Sequence, residues 1–448
     1  MKFVCIAYLL FLCIKIIQSR SSSVGWFVFA ICTVSNDFYL GPLHAHFLFA
    51  FALIAKYIYL RYSNKGKLNK LPFNKVALIW VIGIIIVTIF DYENSIGSKM
   101  MTIIRESVNS ILILTASIGI LRIQGCRTFE RFMASSLIII FIFGLLQLLF
   151  GIDISHELSI NYFPSDASEY SSMSDFNDAF EHEQLYSGRT RINSLVGFAF
   201  DFGYFSAALG LFSLYAYLNN KKKRYYLIIS LVCGIGGTLM SGSRATILAV
   251  FGGYVMMYIL YSKMKLQNLL LPGIIGIVIL YFLSDLSIVQ GTLDAFSDNS
   301  GSQYTGSSKD MRLDQLAASF YWFSQSPIVG NGYRFIQNAS GFNDMSARVL
   351  GIESLIFDLL ISTGIIGFIY WGAFLTQLFK KLTKNIKYLQ YKLALSLTIS
   401  FLIYSLVTGV QGSMFVTFPI LAYCFMLPIN SNAKVKLAEE NTEVKENA

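Results

Sequence analysis

Six arginines lie in connecting stretches that carry few lysines, and they are the residues of this sequence best suited to chemistry. A guanidinium group presents a planar fork of donors that fits phosphate oxygens in a bidentate manner, whereas the lysine ammonium offers only a point charge. These residue types at these places therefore predict the binding of a phosphate-bearing ligand. The six are Arg189, Arg191, Arg244, Arg312, Arg334 and Arg348.

Arg244 lies in the segment LMSGSRATILAV, with barely a turn between two apolar stretches. A cation at the edge of a membrane is costly, so Arg244 is predicted to meet an anionic partner. The alternative is an arginine that reaches the interface or caps a helix, and that interpretation is preferred for Arg334 and Arg348. Arginines converging from three segments, Arg191, Arg244 and Arg312, could neutralise a pyrophosphate and stabilise it as a leaving group.

Glu353 is the candidate general base. It stands near the start of the apolar stretch IESLIFDLLISTGIIGFIYWG, where a partly desolvated carboxylate is a stronger base. The alternative is a glutamate that the helix dipole stabilises at a helix N-terminus. Asp358, further along the same stretch, and Asp201, ten residues after Arg191, are weaker candidates. Asp201 also has the alternative of pairing with an arginine.

The residues after Arg312 predict an amphipathic helix that lies on the membrane surface. Its apolar positions have helical spacing: Leu313, Leu316, Ala317, Phe320 and Phe323. Pro327 ends that helix, and Gly330 and Gly332 predict a turn at which the backbone can approach a ligand. The two glycines, Arg189 and Asp201 are the candidates for supporting roles in the site.

Membrane-spanning helices must position these residues, because the composition excludes an ordinary soluble domain. Of 448 residues, 55% are hydrophobic and 14% are charged, and the mean hydropathy is +0.57. A soluble domain carries about 25% charged residues. Soluble helical repeat proteins are the alternative, and the long uncharged runs argue against them. The sequence therefore predicts an all-α, polytopic transmembrane helical bundle.

The apolar stretches have about the length of a transmembrane helix, roughly 20 residues. They are residues 43–60, 75–90, 100–121, 132–150, 194–218, 225–240, 245–261, 267–284, 352–378, 391–408 and 414–429. Basic clusters fall in alternate connections, as the positive-inside rule expects of cytoplasmic loops. Two shorter runs, 3–18 and 24–38, raise the expectation to twelve or thirteen spans. A signal peptide is the alternative for the first of them.

The predicted spans divide the chain into six parts. These are N-terminal transmembrane helices (1–150), a non-cytoplasmic loop (151–193), central transmembrane helices with the Arg244 block (194–284), a large non-cytoplasmic loop with the amphipathic helix (285–351), C-terminal transmembrane helices (352–429) and a disordered cytoplasmic tail (430–448). Loops longer than about 15 residues in a compact protein are usually functional or disordered. The chemistry is therefore expected on the two large loops and the spans beneath them.

Three other kinds of site find no support in the sequence. The net charge of +9 comes from clusters between apolar runs, which is typical of membrane topology and not of nucleic-acid binding. The six cysteines have no paired spacing, the four histidines form no metal-ligand motif, and no phosphate-binding glycine loop is present. Neither a metal, nor a cofactor, nor a nucleic acid is expected.

The order of four segments resembles the superfamily of O-antigen polymerases (Wzy-type) and O-antigen ligases. The segments are RINSLVGFAFDFGYFSAALG, SGSRATILA, MRLDQLAASFYWFSQSPIVGNGYRF and IESLIFDLLISTGIIGFIYWG. They are similar to the family's arginine-initiated span, its Ser-x-Ser-Arg block, its arginine-led helix with Pro-x-x-Gly-x-Gly, and its polar residue before a leucine-rich span. The resemblance covers residues 189–370, and the first 150 residues contribute only hydropathy.

This resemblance implies a GT-C-like helical fold and a donor and acceptor glycan linked to undecaprenyl pyrophosphate. It implies that Arg191, Arg244 and Arg312 hold the donor pyrophosphate and that Glu353 deprotonates the acceptor hydroxyl for inverting attack at the anomeric carbon. The implied location is the bacterial inner membrane, with the active site and both large loops facing the periplasm. A chain-length regulator and a flippase are candidate partner proteins.

Two departures from the family pattern bear on the type of reaction. Ala199-Phe200-Asp201 stands where Pro-Asn often occurs, and Glu353-Ser354 stands where ligases carry His-Asn. The second departure favours a polymerase. A ligase that transfers the glycan to lipid A-core or another acceptor stays open. So does a transporter or flippase of lipid-linked oligosaccharide, although transporters typically show repeat symmetry and broken mid-membrane helices.

Overall fold

A computed structural model describes residues 2–36, 38–40, 43–63, 71–91, 94–162, 185–186, 189–262, 309–333, 335, 354–409 and 412–427. These residues are mostly helical. Two antiparallel hairpins of two-residue strands interrupt the helices: β1 (Tyr39–Leu40) with β2 (Leu43–His44), and β3 (Leu185–Tyr186) with β4 (Arg189–Thr190). The predicted all-α polytopic class is confirmed.

The helices follow the apolar stretches of the sequence. In the first part of the chain they are α1 (Lys2–Gln18), α2 (Ser23–Thr33), α3 (Ala45–Ser63), α4 (Asn74–Ile89), α5 (Ile96–Val108), α6 (Leu112–Gln124), α7 (Phe129–Phe150) and α8 (Ile154–Tyr162). Later helices are α9 (Ala199–Asn219), α10 (Tyr225–Met240), α11 (Arg244–Ser262), α12 (Lys309–Gln325), α13 (Leu355–Lys384), α14 (Leu389–Thr408) and α15 (Ser413–Met426).

Four of the described helices, α7, α11, α13 and α14, are long and apolar enough to cross a membrane. A fifth crossing results if α5 and α6, which meet at a bend of 49°, form one span. Four further apolar helices, α2, α4, α10 and α15, are shorter. At 1.5 Å per residue, a helix of 14 residues such as α15 is about 21 Å long, below the thickness of the hydrocarbon core. The count of twelve or thirteen spans therefore stays a prediction.

The core of the bundle lies along α9 and α15. Nearly every residue of α9 from Asp201 to Ala216 is buried, and so is α15 from Ser413 to Phe425. A helix that is apolar all round has no face for solvent, so it takes a central position. The hydroxyls of Tyr204 and Thr417, 2.7 Å apart, join the two helices by a buried hydrogen bond.

Small residues let the helices around this core approach closely. Gly210 of α9 and Gly234 of α10 face each other so that their backbones touch. Gly253 of α11 packs against Ser400 of α14, and these two helices run along each other. Such pairs of small residues favour helix association in a bilayer, because dispersion contacts replace the hydrophobic effect there.

Two helices contain breaks. A π-helical segment, Ile229–Ile235, interrupts α10, and another, Leu359–Thr363, interrupts α13. The second break ends at Gly364, whose φ of +55° is a conformation that favours glycine. π-Helical turns inside α-helices often occur at functional sites.

The helix predicted after Arg312 is confirmed as α12, but its polar side faces the bundle. Gln315 and Ser319 are buried, whereas Leu313 and Phe320 are exposed by 53% and 55%. The apolar side of α12 is thus exposed on the surface of the bundle, while the polar side packs on the first turns of α13. The membrane-surface position of α12 stays a prediction.

Several predicted features lie outside the described residues. They include the span at 267–284, the tail from 430 onward and most of both large loops. The N-terminal run at 3–18 forms α1, which packs against α2 and α3 and buries Leu9, Leu12 and Ile16. The run at 24–38 forms the shorter α2.

Candidate active site

The first turn of α9 is the meeting point of the segments that carry the predicted site residues. Asp201 lies in that turn and is 7% exposed. The Tyr404 hydroxyl donates to Asp201 Oδ1 over 3.4 Å. Gly412, which precedes α15, packs so tightly on the Asp201 carboxylate that it leaves no room for a side chain. The residue that precedes α15 therefore packs directly on Asp201.

The turn that carries Arg244 packs against the same part of α9. A side chain at Gly203 would collide with Ser241 and would lie 2.8 Å from Thr246 Oγ1. Ser241 Oγ donates to the Thr238 carbonyl oxygen over 2.7 Å, and Gly242 takes a positive φ of 63° to close the turn. Arg244 is the first residue of α11, directly after this turn.

Arg191 lies beside the Arg244 turn. A methyl group on Gly242 would come within 3.8 Å of Arg191 Cγ, so the two segments are in contact. The Arg191 guanidinium carbon lies 5.0 Å from the ring centroid of Phe200, within the range of a cation–π interaction. Arg191 therefore extends between the loop that precedes α9 and the turn that precedes α11.

Arg312 approaches the site from α12. Its Nη2 donates to the Val407 carbonyl oxygen over 3.1 Å, at the C-terminal end of α14. Val407 is one turn from Tyr404, which in turn contacts Asp201. The segments of Arg191, Arg244 and Arg312 thus meet around Asp201 at one end of the bundle, which we call the arginine end.

The surroundings of Arg244 favour an anionic ligand over a structural role. Arg244 is exposed, and among the described residues its guanidinium forms no hydrogen bond or ion pair. It stands at the N-terminus of α11, where the helix dipole disfavours a cation and favours an anion. A capping role has the wrong sign of charge, so the capping alternative for Arg244 is not supported.

A buried amide holds the loop that carries Arg191. Gln147 Oε1 accepts the backbone N–H groups of Asn193 and Ser194, over 3.1 and 2.8 Å. Ser194 has a positive φ of 55°, which costs a non-glycine residue conformational energy, and its hydroxyl donates to the Ile140 carbonyl oxygen over 2.6 Å. These bonds from α7 fix a strained backbone path two and three residues after Arg191.

Asp153 extends this network to the beginning of the loop at 151–193. Its Oδ2 accepts from Asn193 Nδ2 over 2.8 Å and from Gln147 Nε2 over 3.2 Å. Its Oδ1 accepts from the Ser155 hydroxyl and the His156 backbone, at the start of α8. One carboxylate thus ties α7, α8 and the Arg191 loop together.

Glu353 and the side chain of Arg189 lie outside the described residues, as do Arg334 and Arg348. The backbone of Arg189 pairs with Tyr186 in the second hairpin. Asp358, five residues after Glu353, accepts from the Ser362 hydroxyl over 2.7 Å. The catalytic and binding assignments of the candidate residues all stay predictions.

Gly330 and Gly332 pack against protein backbone and side chains. Gly330, with a φ of +70°, contacts the backbone at Ser362 in the break of α13. Gly332 donates its N–H to the Ser362 carbonyl oxygen over 3.1 Å and lies against the Asp91 carboxylate. The Ile365 N–H donates to the Pro327 carbonyl oxygen over 2.9 Å. The close approach predicted for the two glycines is made to α13 and Asp91 in this structure.

Tyr333 follows this turn and lies near Tyr370 and Asp358. Its hydroxyl lies 3.3 Å from the hydroxyl of Tyr370. Burial raises the pKa of Tyr333 well above its ordinary value. The Tyr333 hydroxyl is therefore a hydrogen-bonding group and is not suited to act as a base.

Among the described residues Asp201 forms no ion pair with an arginine, and its pairing with an arginine stays a prediction. The carboxylate has Tyr404 as its hydrogen-bonding partner there. Its position between the arginine-bearing segments leaves it as a candidate supporting residue.

The sequence interpretation missed Gln147, Asp153, Asn193 and Tyr404. Gln147 could have been predicted, because it is the one amide in the apolar run FIFGLLQLLF. A polar group inside a membrane segment is costly and usually has a specific partner. Within the described ranges, no group of three or more His, Cys, Asp and Glu side chains could hold a metal ion. The site is thus built from arginines, amides, hydroxyls and carboxylates.

Comparison with known proteins gives one family. A family model described as O-antigen ligase matches residues 229–372, which include Arg244 and Arg312 and extend from α10 into α13. No curated protein matches the chain at a significant level. The matched range contains three of the four segments on which the sequence resemblance rests. The predicted resemblance to the superfamily of O-antigen polymerases and ligases is thus confirmed for residues 229–372.

Proposed function

We propose that this protein is a glycosyltransferase that polymerises a bacterial surface polysaccharide. It joins oligosaccharide repeat units carried on undecaprenyl pyrophosphate, at the periplasmic face of the inner membrane. The observation that carries the proposal is the meeting of the Arg191, Arg244 and Arg312 segments around the first turn of α9. Three guanidinium groups suit a pyrophosphate, whose charge exceeds what one cation can balance.

The proposed reaction is a substitution at the anomeric carbon of the donor sugar. The acceptor hydroxyl oxygen forms the new glycosidic bond, and the bond between the anomeric carbon and the pyrophosphate oxygen breaks. The electron pair leaves with the lipid pyrophosphate, where the arginines stabilise the developing negative charge. Arg244 has the most favourable place for this role, because the N-terminus of α11 adds its own positive potential.

Glu353 receives the acceptor proton in this proposal, which follows from the sequence. Its neighbour Ser354 precedes the first turn of α13, and the break in that helix follows at Leu359–Thr363. The Glu353-Ser354 pair, in place of the His-Asn of ligases, favours the polymerase. The match to a model described as O-antigen ligase makes transfer to a lipid A-core acceptor the second candidate.

A reconstituted reaction tests the proposal. Purified protein is mixed with lipid-linked repeat units in detergent, without any energy source, and glycan length is followed by electrophoresis. A ladder of longer lipid-linked glycans is expected from the polymerase. Extension only after addition of lipid A-core indicates the ligase, and unchanged glycans with movement of the lipid between leaflets of vesicles indicate a transporter.

Two substitutions then test the site. Arg244→Lys keeps the charge but loses the bidentate fork, and Glu353→Gln keeps the shape but loses the base. Both are expected to abolish long-chain product in the reconstituted reaction and in cells. If both variants make long-chain polysaccharide at the level of the unmodified protein, this assignment of the site is wrong.

A further inference from the structure

A cavity of about 470 Å³ opens between α1, α3 and α6, at the end of the bundle opposite the Arg191 loop. Its polar lining is Gln18, Arg20, Lys56 and Gln124, and its apolar lining includes Ile17 and Leu60. The lining contains two cations and no acidic residue. The electrostatic character of the cavity is therefore that of an anion-binding site.

Lys56 is the residue that most needs a ligand there. It is 7% exposed, and within the described part of the chain its ammonium forms no ion pair or hydrogen bond. The electron-rich face of the Tyr59 ring lies near it, with the ring centroid 5.7 Å from Nζ. A buried cation is costly unless an anion or several hydrogen bonds compensate it. The cavity beside Lys56 offers the space for such an anion.

The cavity lies at the end of the bundle that carries the basic clusters. Gln124 Nε2, at the end of α6, donates to the Ser19 carbonyl oxygen over 2.9 Å and to the Ser23 hydroxyl over 3.0 Å. This joins the turn between α1 and α2 to the helix end that contains Arg122. We call this end the basic end. Basic pockets between membrane helices on the cytoplasmic side are where the headgroups of anionic lipids bind.

The outer wall of the cavity is apolar and open to the surroundings. Ile17 is 43% exposed and Tyr59 is 65% exposed. An inorganic anion would gain nothing from this wall. A phospholipid would place its headgroup phosphate against Lys56 and Arg20 and its acyl chains along the apolar side chains, where burial of each CH₂ group is favourable.

We propose that this cavity binds the headgroup phosphate of an anionic phospholipid in the leaflet at the basic end. Lys56 supplies the buried charge, Arg20 the exposed one, and Gln18 an amide donor at the rim. The site is separate from the arginine end. It therefore stands or falls independently of the proposed glycosyltransferase activity.

Lipid binding to the purified full-length protein tests the proposal. Native mass spectrometry and thermal unfolding in detergent are measured with phosphatidylglycerol and with phosphatidylcholine of the same acyl chains. The unmodified protein is expected to retain phosphatidylglycerol and to unfold at a higher temperature with it than with phosphatidylcholine. Lys56→Met, which keeps the side-chain volume, is expected to weaken phosphatidylglycerol binding about fivefold or more. Arg20→Gln, on an exposed side chain that cannot disturb folding, is expected to weaken it in the same direction.

Lys222→Met is the matched control, because Lys222 is an exposed lysine that does not line the cavity. It should bind phosphatidylglycerol like the unmodified protein. Equal binding by Lys56→Met and the unmodified protein overturns the proposal. So does equal stabilisation by inorganic phosphate, which would make the cavity a site for free anions, and so does equal retention of phosphatidylcholine, which would make the contact an apolar one.

Discussion

The arginine end and the basic end of the bundle use polar side chains in different ways. At the arginine end, carboxylates and amides are buried and hydrogen-bonded, as Asp201 is to Tyr404 and Asn193 is to Asp153. At the basic end, Lys223 and Glu130 form a half-exposed ion pair 3.7 Å long. Loss of a partner at the arginine end would therefore leave a buried polar group unpaired, whereas solvent can replace either partner of the Lys223–Glu130 pair.

Two glutamines, one at each end, can be compared directly, because the side chain of each forms three hydrogen bonds to a neighbouring connection. Gln147 holds the Arg191 loop, with its oxygen on two backbone N–H groups and its nitrogen on Asp153. Gln124 holds the turn between α1 and α2, through Ser19 and Ser23. Gln147 is 5% exposed, while Gln124 is half-buried.

Two features of the arginine end lower the stability of the fold and have an explanation in function. Ser194 takes a positive φ and Arg244 places a cation on the wrong end of a helix dipole, both at the arginine end. Each feature is unfavourable for folding by itself. An anion bound beside Arg244 would offset the cost of its charge, and the strained backbone at Ser194 helps to hold the loop that carries Arg191.

The largest expected effect comes from removing Arg244. We expect Arg244→Ala to lower the turnover number of glycan polymerisation by about 10²–10³, as the loss of one donor to a developing negative charge does in other sites. Stability should not fall, because the exposed guanidinium has no partner among the described residues. Turnover with purified lipid-linked repeat units and the unfolding temperature are measured together.

Arg224→Ala is the matched control for this variant. Arg224 is exposed and directly precedes α10, as Arg244 begins α11, but it lies at the basic end. It should leave turnover unchanged. If both variants lose turnover equally, the positive charge of the arginine matters and its position does not. The proposed difference between the two ends would then be wrong.

The second largest effect is expected on stability, from a substitution in the turn that packs against the break in α13. Gly330→Ala should lower the free energy of unfolding by about 3 kcal/mol, since the φ of +70° is strained for alanine and the methyl group collides with the backbone at Ser362. Backbone atoms cannot move aside as a flexible side chain can. The shift of the unfolding temperature in detergent, without any substrate, is the measurement.

Gly372→Ala, in the helix α13 against which the Gly330 turn packs, is the control for Gly330→Ala. A methyl group on Gly372 meets nothing within 4 Å, so alanine should be neutral or stabilise the helix by up to about 1 kcal/mol. If Gly330→Ala is as stable as the unmodified protein, the close packing of the turn on α13 is not what requires glycine. Ligand approach would then be the better explanation of the Gly330 position.

The helices and the place of Arg244 at a helix start follow largely from local sequence. Apolar runs place the helix ends within a few residues, as at 132–150 against Phe129–Phe150, because backbone groups in lipid must bond within their own segment. The Ser-Gly-Ser-Arg turn is short enough that Arg244 had to lie at a helix start. Such features depend on neighbours in sequence.

The partners of these residues do not follow from local sequence. Gln147 and Ser194 are 47 positions apart, and Asp201 and Tyr404 are 203 apart. Likewise, the spacing of Leu313 and Phe320 predicted one apolar side of α12, but not that the polar side faces α13. These contacts depend on how helices pack, and a single sequence carries no direct record of that packing.

A smaller effect on stability and on KM should distinguish Gln147 from Gln124. Gln147→Met leaves two buried N–H groups unpaired, and we expect about 1–3 kcal/mol lower stability. The released Arg191 loop should also raise KM for the lipid-linked donor about tenfold, the equivalent of roughly 1.4 kcal/mol in binding. Steady-state kinetics at a temperature where the variant is fully folded separates KM from kcat.

Gln124→Met removes the same number of hydrogen bonds at the basic end. It should lower stability by less, because only one backbone N–H, that of Ser23, loses its partner, and should leave KM unchanged. A tenfold rise in KM for both variants would assign the effect to general loosening of the bundle. An unchanged KM for Gln147→Met, with Arg244→Ala inactive, would show that Gln147 holds the fold but does not position Arg191.

The smallest effect is expected for the ion pair at the basic end. Lys223→Met should change the free energy of unfolding by less than about 1 kcal/mol, because the Lys223 and Glu130 side chains are 42% and 24% exposed and solvent screens the pair. Glu130 keeps its hydrogen bond from the Tyr423 hydroxyl, 3.1 Å long, so no buried group loses its partner. Unfolding temperatures at low and high salt measure the difference. If Lys223→Met lowers the free energy of unfolding as much as Gln147→Met does, the polar groups of the basic end also depend on one another. Burial alone, without a ligand site, would then explain the polar contacts of both ends.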